Sequence, residues 1–241
     1  MVFKWEEQTF DWFINASGYT GYDKGMANLL LPYLDGCKTL CDIGCGMAFA
    51  DFEMAPYFDE ITCVDISQNV IENVNKRIAE QNITNIKTIC SDGLLLPDDS
   101  KWDAVISLFH GDVDLVGLRY LSYARKKIIF VVHNNEYGTT GPKKYRLRKC
   151  WDVNHTVEWL ESEGLSYTFK KEELEFGQPH RNKEEAYSYF KAFTKDAPED
   201  EMKEYVDSIL VETGREDFPY YTQKTRHFGI FALDADKTRS K

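Results

Sequence analysis

The chain has 241 residues and a formal net charge of −11, with 43% hydrophobic and 29% charged residues. That length suits one large α/β domain, or one carrying an insertion, and needs no disulfide staples to stabilise its core. The acidic balance excludes broad attraction to DNA or RNA, and no apolar run approaches the roughly 20 residues of a membrane helix. The first residues, MVFKWEEQTF, hold acids and no apolar signal core, so a cytoplasmic protein with reduced thiols is expected.

Taken in chain order, residues 4–15 place Trp5, Phe10, Trp12 and Phe13 near helical spacing. Ser17-Gly18-Tyr19-Thr20-Gly21 should break that helix, and a second should run over about 22–34. Lys38–Ile43 reads as a short strand entering Gly44, followed by a helix over 47–57. Ile61–Asp65 is a second strand, and 68–80 a helix with Ser67 as N-cap. Strands follow at 85–90, 102–107 and 127–132, with a helix at 113–124 between the last two. The 127–132 strand is almost wholly apolar, as burial on both faces requires. A helix is expected at 153–163, and longer strands at 166–176 and 226–233. Strand–helix alternation at this pitch predicts a parallel sheet with helices on both faces. The N-terminal 1–34 and a 178–222 insertion before the last strand read as helical caps on a single domain.

The chemistry concentrates in Leu40-Cys41-Asp42-Ile43-Gly44-Cys45-Gly46-Met47-Ala48, a strand feeding a Gly-x-Gly turn and a helix. Glycine lets a ligand approach the main-chain N–H groups of such a turn. Asp65 ends the next strand, where a carboxylate can accept both hydrogen bonds of a ribose diol. Ser91-Asp92-Gly93 follows the third strand, where a side-chain oxygen can meet an adenine amino group. A dinucleotide turn would carry a third glycine at 49, where Phe49 stands. Cys37, Cys41 and Cys45 are evenly spaced, but a cluster-binding Cys-x3-Cys-x2-Cys would need a cysteine where Ala48 stands, so these thiols read as strand filler. For Asp42, holding the turn is an alternative to ligand binding; for Asp92, capping a loop is.

Over roughly residues 15–170, and again at the last strand, the chain resembles the class I S-adenosyl-L-methionine (SAM)-dependent methyltransferases. That resemblance implies a Rossmann-like α/β fold: seven strands, mostly parallel, with an antiparallel last strand. Asp42-Ile43-Gly44-Cys45-Gly46 matches the family's first motif, so Gly44, Cys45 and Gly46 would line the methionine part of SAM. Asp65 matches the ribose acid, with Ile66 against adenine. Asp92 matches the adenine-facing acid, with Gly93 beside it. Tyr19 and Tyr22 fall where members fold residues over the SAM carboxylate, and Leu108 closes the fourth strand on the cofactor side.

The acceptor side offers Leu108-Phe109-His110-Gly111-Asp112 after the fourth strand and His133-Asn134-Asn135-Glu136 after the fifth. His110 suits a general base, with Asp112 and His133 as further catalytic candidates. A divalent metal held by His110 or Asp112 with His133, Asn134 or Asn135 is the other chemical reading; loop residues that only orient substrate are the third. No metal is assigned. The basic run within 137–149 could meet an anionic acceptor or stand solvated. The expected activity is methyl transfer to O, N or S of a small molecule. The alternatives are a protein or nucleic-acid substrate, or a SAM-fold binding protein without catalysis. Oligomeric state is not legible.

Overall fold

A computed structural model of the chain describes residues 7–134, 141–145, 151–194 and 196–238. In chain order the helices and strands begin α1 (Glu7–Thr20), α2 (Tyr22–Leu30), β1 (Thr39–Ile43), α3 (Phe49–Met54), β2 (Glu60–Asp65), α4 (Gln68–Glu80) and β3 (Ile86–Cys90). They continue with β4 (Trp102–Leu108), α5 (Val113–Tyr123), β5 (Ala124–His133), α6 (Val153–Ser162), β6 (Thr168–Glu175) and β7 (Gln178–His180). The chain finishes through α7 (Lys183–Phe193), α8 (Glu199–Ile209), β8 (Leu210–Glu212), β9 (Tyr220–Thr222), β10 (Thr225–Asp234) and α9 (Ala235–Thr238). The chain forms two compact units: Asp23–His133 with Trp151–Glu172 and Phe228–Lys241, and Met1–Tyr22 with Asn134–Cys150 and Glu173–His227.

The larger unit is built on a sheet of order β3-β2-β1-β4-β5-β10-β6. Strands β1 to β5 pair in parallel, and β10 runs antiparallel to β5 in the register Phe228↔His133 to Asp234↔Lys127. This is the expected seven-strand mixed sheet. Burial explains the register: β4 and β5 are buried over most of their length, so both faces must be covered by helices. Helix α4 turns Val70, Ile71 and Val74 inward and its charged residues outward; each such side chain adds about 1.5–3 kcal/mol of burial. Asn82, in the left-handed conformation just beyond α4, ends the helix as glycine often does. The strand order β3-β2-β1-β4 changes direction between β1 and β4, and the carboxyl ends of those strands are where a doubly wound sheet binds ligands.

The smaller unit corrects two expectations. Helix α1 does not break at Ser17 but runs to Thr20, where the Thr20 hydroxyl donates to the Ala16 carbonyl (2.7 Å). Its end is Gly21, in the left-handed region at φ 66°, whose N–H reaches the Ser17 carbonyl. Trp12 and Ala16 are buried and Tyr19 stacks on Tyr221 at 4.8 Å. That packing outweighs the cost of about 1 kcal/mol for Gly18 inside a helix. The 178–222 segment is helical only in part. Beside α7 and α8 it holds a three-stranded antiparallel sheet, β7-β9-β8, of three-residue strands too short to give a readable period. Residues 4–6, including Trp5, lie outside the described residues.

Candidate functional site

The turn after β1 forms a strained, tightly tied loop. Gly44 (φ 78°), Gly46 (φ 52°) and Ala48 (φ 52°) are all left-handed, so the chain reverses direction within five residues. Gly44 and Cys45 donate their N–H groups to the Val64 carbonyl at 2.8 and 3.0 Å, which seats the loop on the end of β2. Arg77 of α4 donates to the Met47 carbonyl (2.7 Å), and its guanidinium lies over the rings of Phe49 and Phe52 at 4.3 and 4.1 Å.

Asp65, at the end of β2, accepts from Gly46 N–H (3.1 Å) through one oxygen and from Ser67 N–H (2.9 Å) through the other. It clasps the loop to the start of α4 and keeps lone pairs free on both oxygens. Ser67 is the N-cap of α4 by position, but its side chain makes no cap bond. Ile66 beside it is 59% exposed, open to a flat ligand. Asp92 accepts from Leu94 N–H (2.9 Å), the loop-capping geometry the sequence left open. Gly93 has a packing reason: a Cβ there would lie 2.2 Å from Ile43 Cγ2 and 2.9 Å from the Tyr120 hydroxyl.

His110 joins these groups. Its ring lies against Gly44 so closely that a Cβ on Gly44 would be 2.1 Å from His110 Cγ. Much of the residue reaches solvent, yet the ring is desolvated on the Gly44 side. That desolvation lowers its pKa below the usual imidazole value, while Asp65 and Asp92 pull the other way. Gly44, Asp65, Asp92 and His110 therefore share one neighbourhood at the carboxyl edge. The backbone that delivers His110 is unusual: Phe109 is left-handed at φ 57°, its N–H donates to the Val131 carbonyl (2.7 Å), and the Ser107 hydroxyl accepts the turn by donating to the His110 carbonyl (3.1 Å). A left-handed non-glycine residue at such an edge is a strain that surrounding packing must hold.

The other acceptor-side candidates separate. The His133 ring sits 4.6 Å from the Phe109 ring, and Phe109 meets Phe228 edge-on at 5.6 Å. Asp112 precedes α5 at the N-cap position, exposed and making no cap bond. Leu108 is the last, half-buried residue of β4. Tyr22 belongs to the smaller unit, buried, with its ring 4.5 Å from Phe176 and its hydroxyl accepting from Arg226 (3.3 Å). Asn135, Glu136 and most of the basic run, at 137–140 and 146–149, lie outside the described residues, as does Cys150. Among the described residues no three His, Cys, Asp or Glu side chains group as a metal site.

Sequence reasoning missed Asp51. This α3 residue is 0% exposed and Asp42 is 1% exposed, and both carboxyls lie under the loop. Burial and the charge of Asp51 push Asp42 well above the usual carboxylate range, and burial, with Asp23 adding to it and hydrogen bonding from Asp42 and the pull of Arg77 working against it, raises Asp51 to about 7. The readable signal was an acid between buried Ala50 and Met54 on an otherwise apolar helix face. The charges around the loop fit a cationic sulfonium ligand. Asp42, Asp51 and Asp65 are acids, and Arg77 is spent on a carbonyl and two rings. A pyrophosphate would find the wrong sign of field there.

Residues 40–119 match the family model described as a methyltransferase domain. No curated protein sequence matches the chain. Among solved structures, the YcgJ protein of Bacillus subtilis aligns with TM-score 0.54 at 15% identity, covering 86% of this chain and 98% of its own. Magnesium protoporphyrin IX methyltransferase of Synechocystis PCC 6803, solved with SAM bound, gives 0.51 at 14%, covering 96% and 86%. A geranyl diphosphate methyltransferase in complex with SAM gives 0.53 at 16%, covering 88% and 85%. At these identities the structural likeness speaks for the fold. Residues 40–119 thus match a methyltransferase domain, and the chain has the Rossmann-like fold of the methyltransferases it aligns with.

Proposed function

We propose that the protein transfers the SAM methyl group to an O, N or S atom of a small-molecule acceptor, with SAM seated on the loop Gly44–Gly46. The observation that carries this reading is the convergence of Gly44, Asp65, Asp92 and His110 at one edge of the sheet. Asp65 would use its free lone pairs on the ribose diol. Ile66 and Asp92 would flank the adenine, and Leu108 and Cys45 would border the rest of the cofactor. SAM supplies an already activated methyl, so the protein's task is mainly alignment of the acceptor for in-line attack. A base is needed only where the acceptor carries a proton.

His110 is the residue proposed for that proton. Its lowered pKa keeps the imidazole neutral at pH 7, in the form that accepts. Asp112 and His133 are proposed to orient the acceptor. The net charge of −11 favours a small molecule over a nucleic acid. The known small-molecule methyltransferases of this fold, acting on magnesium protoporphyrin IX and geranyl diphosphate, lend the same support. The five cysteines among the described residues are free, which accords with a cytoplasmic setting.

Calorimetry with SAM, S-adenosylhomocysteine (SAH) and NAD tests the cofactor, and NAD binding tighter than SAH would end the proposal. Native mass spectrometry of the purified protein would then find the acceptor. With that acceptor in hand, His110→Ala is expected to keep SAM affinity within a few-fold and to lower turnover roughly 100-fold or more. A loss confined to KM would reduce His110 to an orienting role.

A further inference from the structure

The pair Asp42–Asp51 has no evident structural use. The four carboxyl oxygens are buried, and among the described residues no other side chain hydrogen-bonds them. The two side chains can hydrogen-bond each other through a shared proton. Buried polar groups without donors are costly, and a charge in that position costs more. An asparagine at 51 would fill the same space, donate to Asp42 and carry no charge. Arg77 pulls on Asp51 through its charge, but its hydrogen bond goes to the Met47 carbonyl and its guanidinium lies over the rings of Phe49 and Phe52, so it does not hold the acid fully ionised. The acid is expensive where it stands, and it stands directly under the loop proposed to hold the cofactor.

The groups facing Asp51 come from every element around it. Asp42 and Cys41 belong to β1, Cys45 to the loop, Cys63 to β2, Asp23 to α2 and Arg77 to α4. Asp42 in turn feels Asp65, so the field of the pair reaches the ligand edge. The Cys45 thiol donates to the Gly46 carbonyl (3.6 Å), and the Cys45 and Cys63 thiols are both raised above the usual range, Cys63 by the neighbouring Cys45 and by burial, so they stay neutral beside the carboxyls. What can change near neutral pH is the proton on Asp51.

We propose that Asp51 is a specificity-determining residue of the cofactor site: with Asp42 it holds one exchangeable proton beneath the glycine loop, and release of that proton favours the cationic cofactor over its neutral demethylated product. This rests on the reading of the Gly44–Gly46 loop as the SAM site. SAM carries a sulfonium charge and SAH does not. With the proton in place the pair is neutral; without it, the two carboxyls share one negative charge. That charge attracts SAM and leaves SAH unaffected to first order. SAM binding therefore expels the proton, and SAH binding does not. Since Asp51 is pushed up to about 7, the step falls near physiological pH. A product that competes less well as pH rises would relieve product inhibition. Asp51 acts here through the field and not by contact, as a positioning residue.

The test measures the affinities of SAM and SAH by calorimetry from about pH 5.5 to 8.5, in buffers of different ionisation enthalpy. For the natural protein, the ratio of SAM to SAH affinity is expected to rise about ten-fold across that range. SAM binding near pH 7 should release a fraction of a proton that SAH binding does not release. Asp51→Asn should flatten the rise and hold the ratio at its low-pH value. His110 titrates on the acid side of its usual value, so His110→Ala should leave the step near pH 7 in place. A pH-independent ratio in the natural protein, or an undiminished rise in Asp51→Asn, overturns the proposal. If Asp51→Asn fails to fold by circular dichroism, the proton release of the natural protein decides alone: equal release with SAM and SAH overturns it. Failure of both ligands to bind at any pH would instead overturn the SAM reading of the loop.

Discussion

The two units bury polar groups in opposite ways. The larger one buries ionisable acids, Asp42 and Asp51, beside a glycine loop, where among the described residues no other side chain hydrogen-bonds them. The smaller one is packed from aromatic side chains: Trp12 with Tyr189 at 5.3 Å, Tyr189 with Phe193 at 4.9 Å, and Phe190 with Tyr205 at 5.6 Å. Its buried polar residues among those described, Gln178, His180 and Thr222, are neutral: His180 is 0% exposed, with Nε2 3.0 Å from the Thr222 hydroxyl and Nδ1 without a partner. Charge is retained where a charged ligand is expected. Where the task is to hold elements together, the buried polar group gives up its proton. The sheet unit spends stability on a field, and the smaller unit spends none.

That contrast can be broken at its sharpest point, the loop. Gly44→Ala puts a methyl group 2.1 Å from the His110 ring at a residue with φ 78°. Either the loop or the imidazole must move, so SAM affinity is expected to fall roughly 1,000-fold, about 4 kcal/mol. Calorimetry reads it, and a variant that binds SAM normally would dissociate the loop from the cofactor.

The smaller unit should reveal itself through acid stability. Burial lowers His180 from 6.5 to about 4. The folded state keeps it neutral, while the unfolded chain takes up a proton below about pH 6.5. Its contribution is complete above that pH and is lost as pH falls from about 6.5 toward 4, on the order of 3 kcal/mol in all. Urea melts at a series of pH values, with His180→Leu as the reference, measure this slope. A reference variant with the same slope would remove His180 from the account.

The smallest effect belongs to Asp65→Ala. It removes acceptors for Gly46 and Ser67 N–H and for the proposed ribose contacts, so cofactor binding should weaken by about 1–3 kcal/mol. The fold should persist, because Asp65 ends its strand and is only half-buried. Unchanged SAM affinity by calorimetry would leave Asp65 a clasp for the loop and nothing more.

Much of this was legible in the order of residues. Helix α4 stands at 68–80 as its apolar spacing predicts, and the strands of the sheet fall within a few residues of their expected bounds. Periodicity reports such elements because each buries one face or both. Helix α1 was misjudged at Ser17–Gly21, since local propensity favours a break there and only the packing of Trp12, Ala16 and Tyr19 overrides it. The three-residue strands of the smaller unit were invisible because they hold together only by pairing with distant partners, as Gln178 does with Thr222.

By itself, the sequence determined the sheet, its glycine loop and the strand-end acid Asp65, because each is written in a contiguous stretch whose local physics allows few alternatives. Tertiary structure alone decided that the His110 ring lies on Gly44 and that Asp42 and Asp51 meet in a buried site. Those relations join residues far apart in the chain or on successive elements. The properties that matter for function, a lowered imidazole pKa and a shared carboxyl proton, arise from desolvation and short-range Coulomb forces. Neither exists until the chain has excluded water from around them.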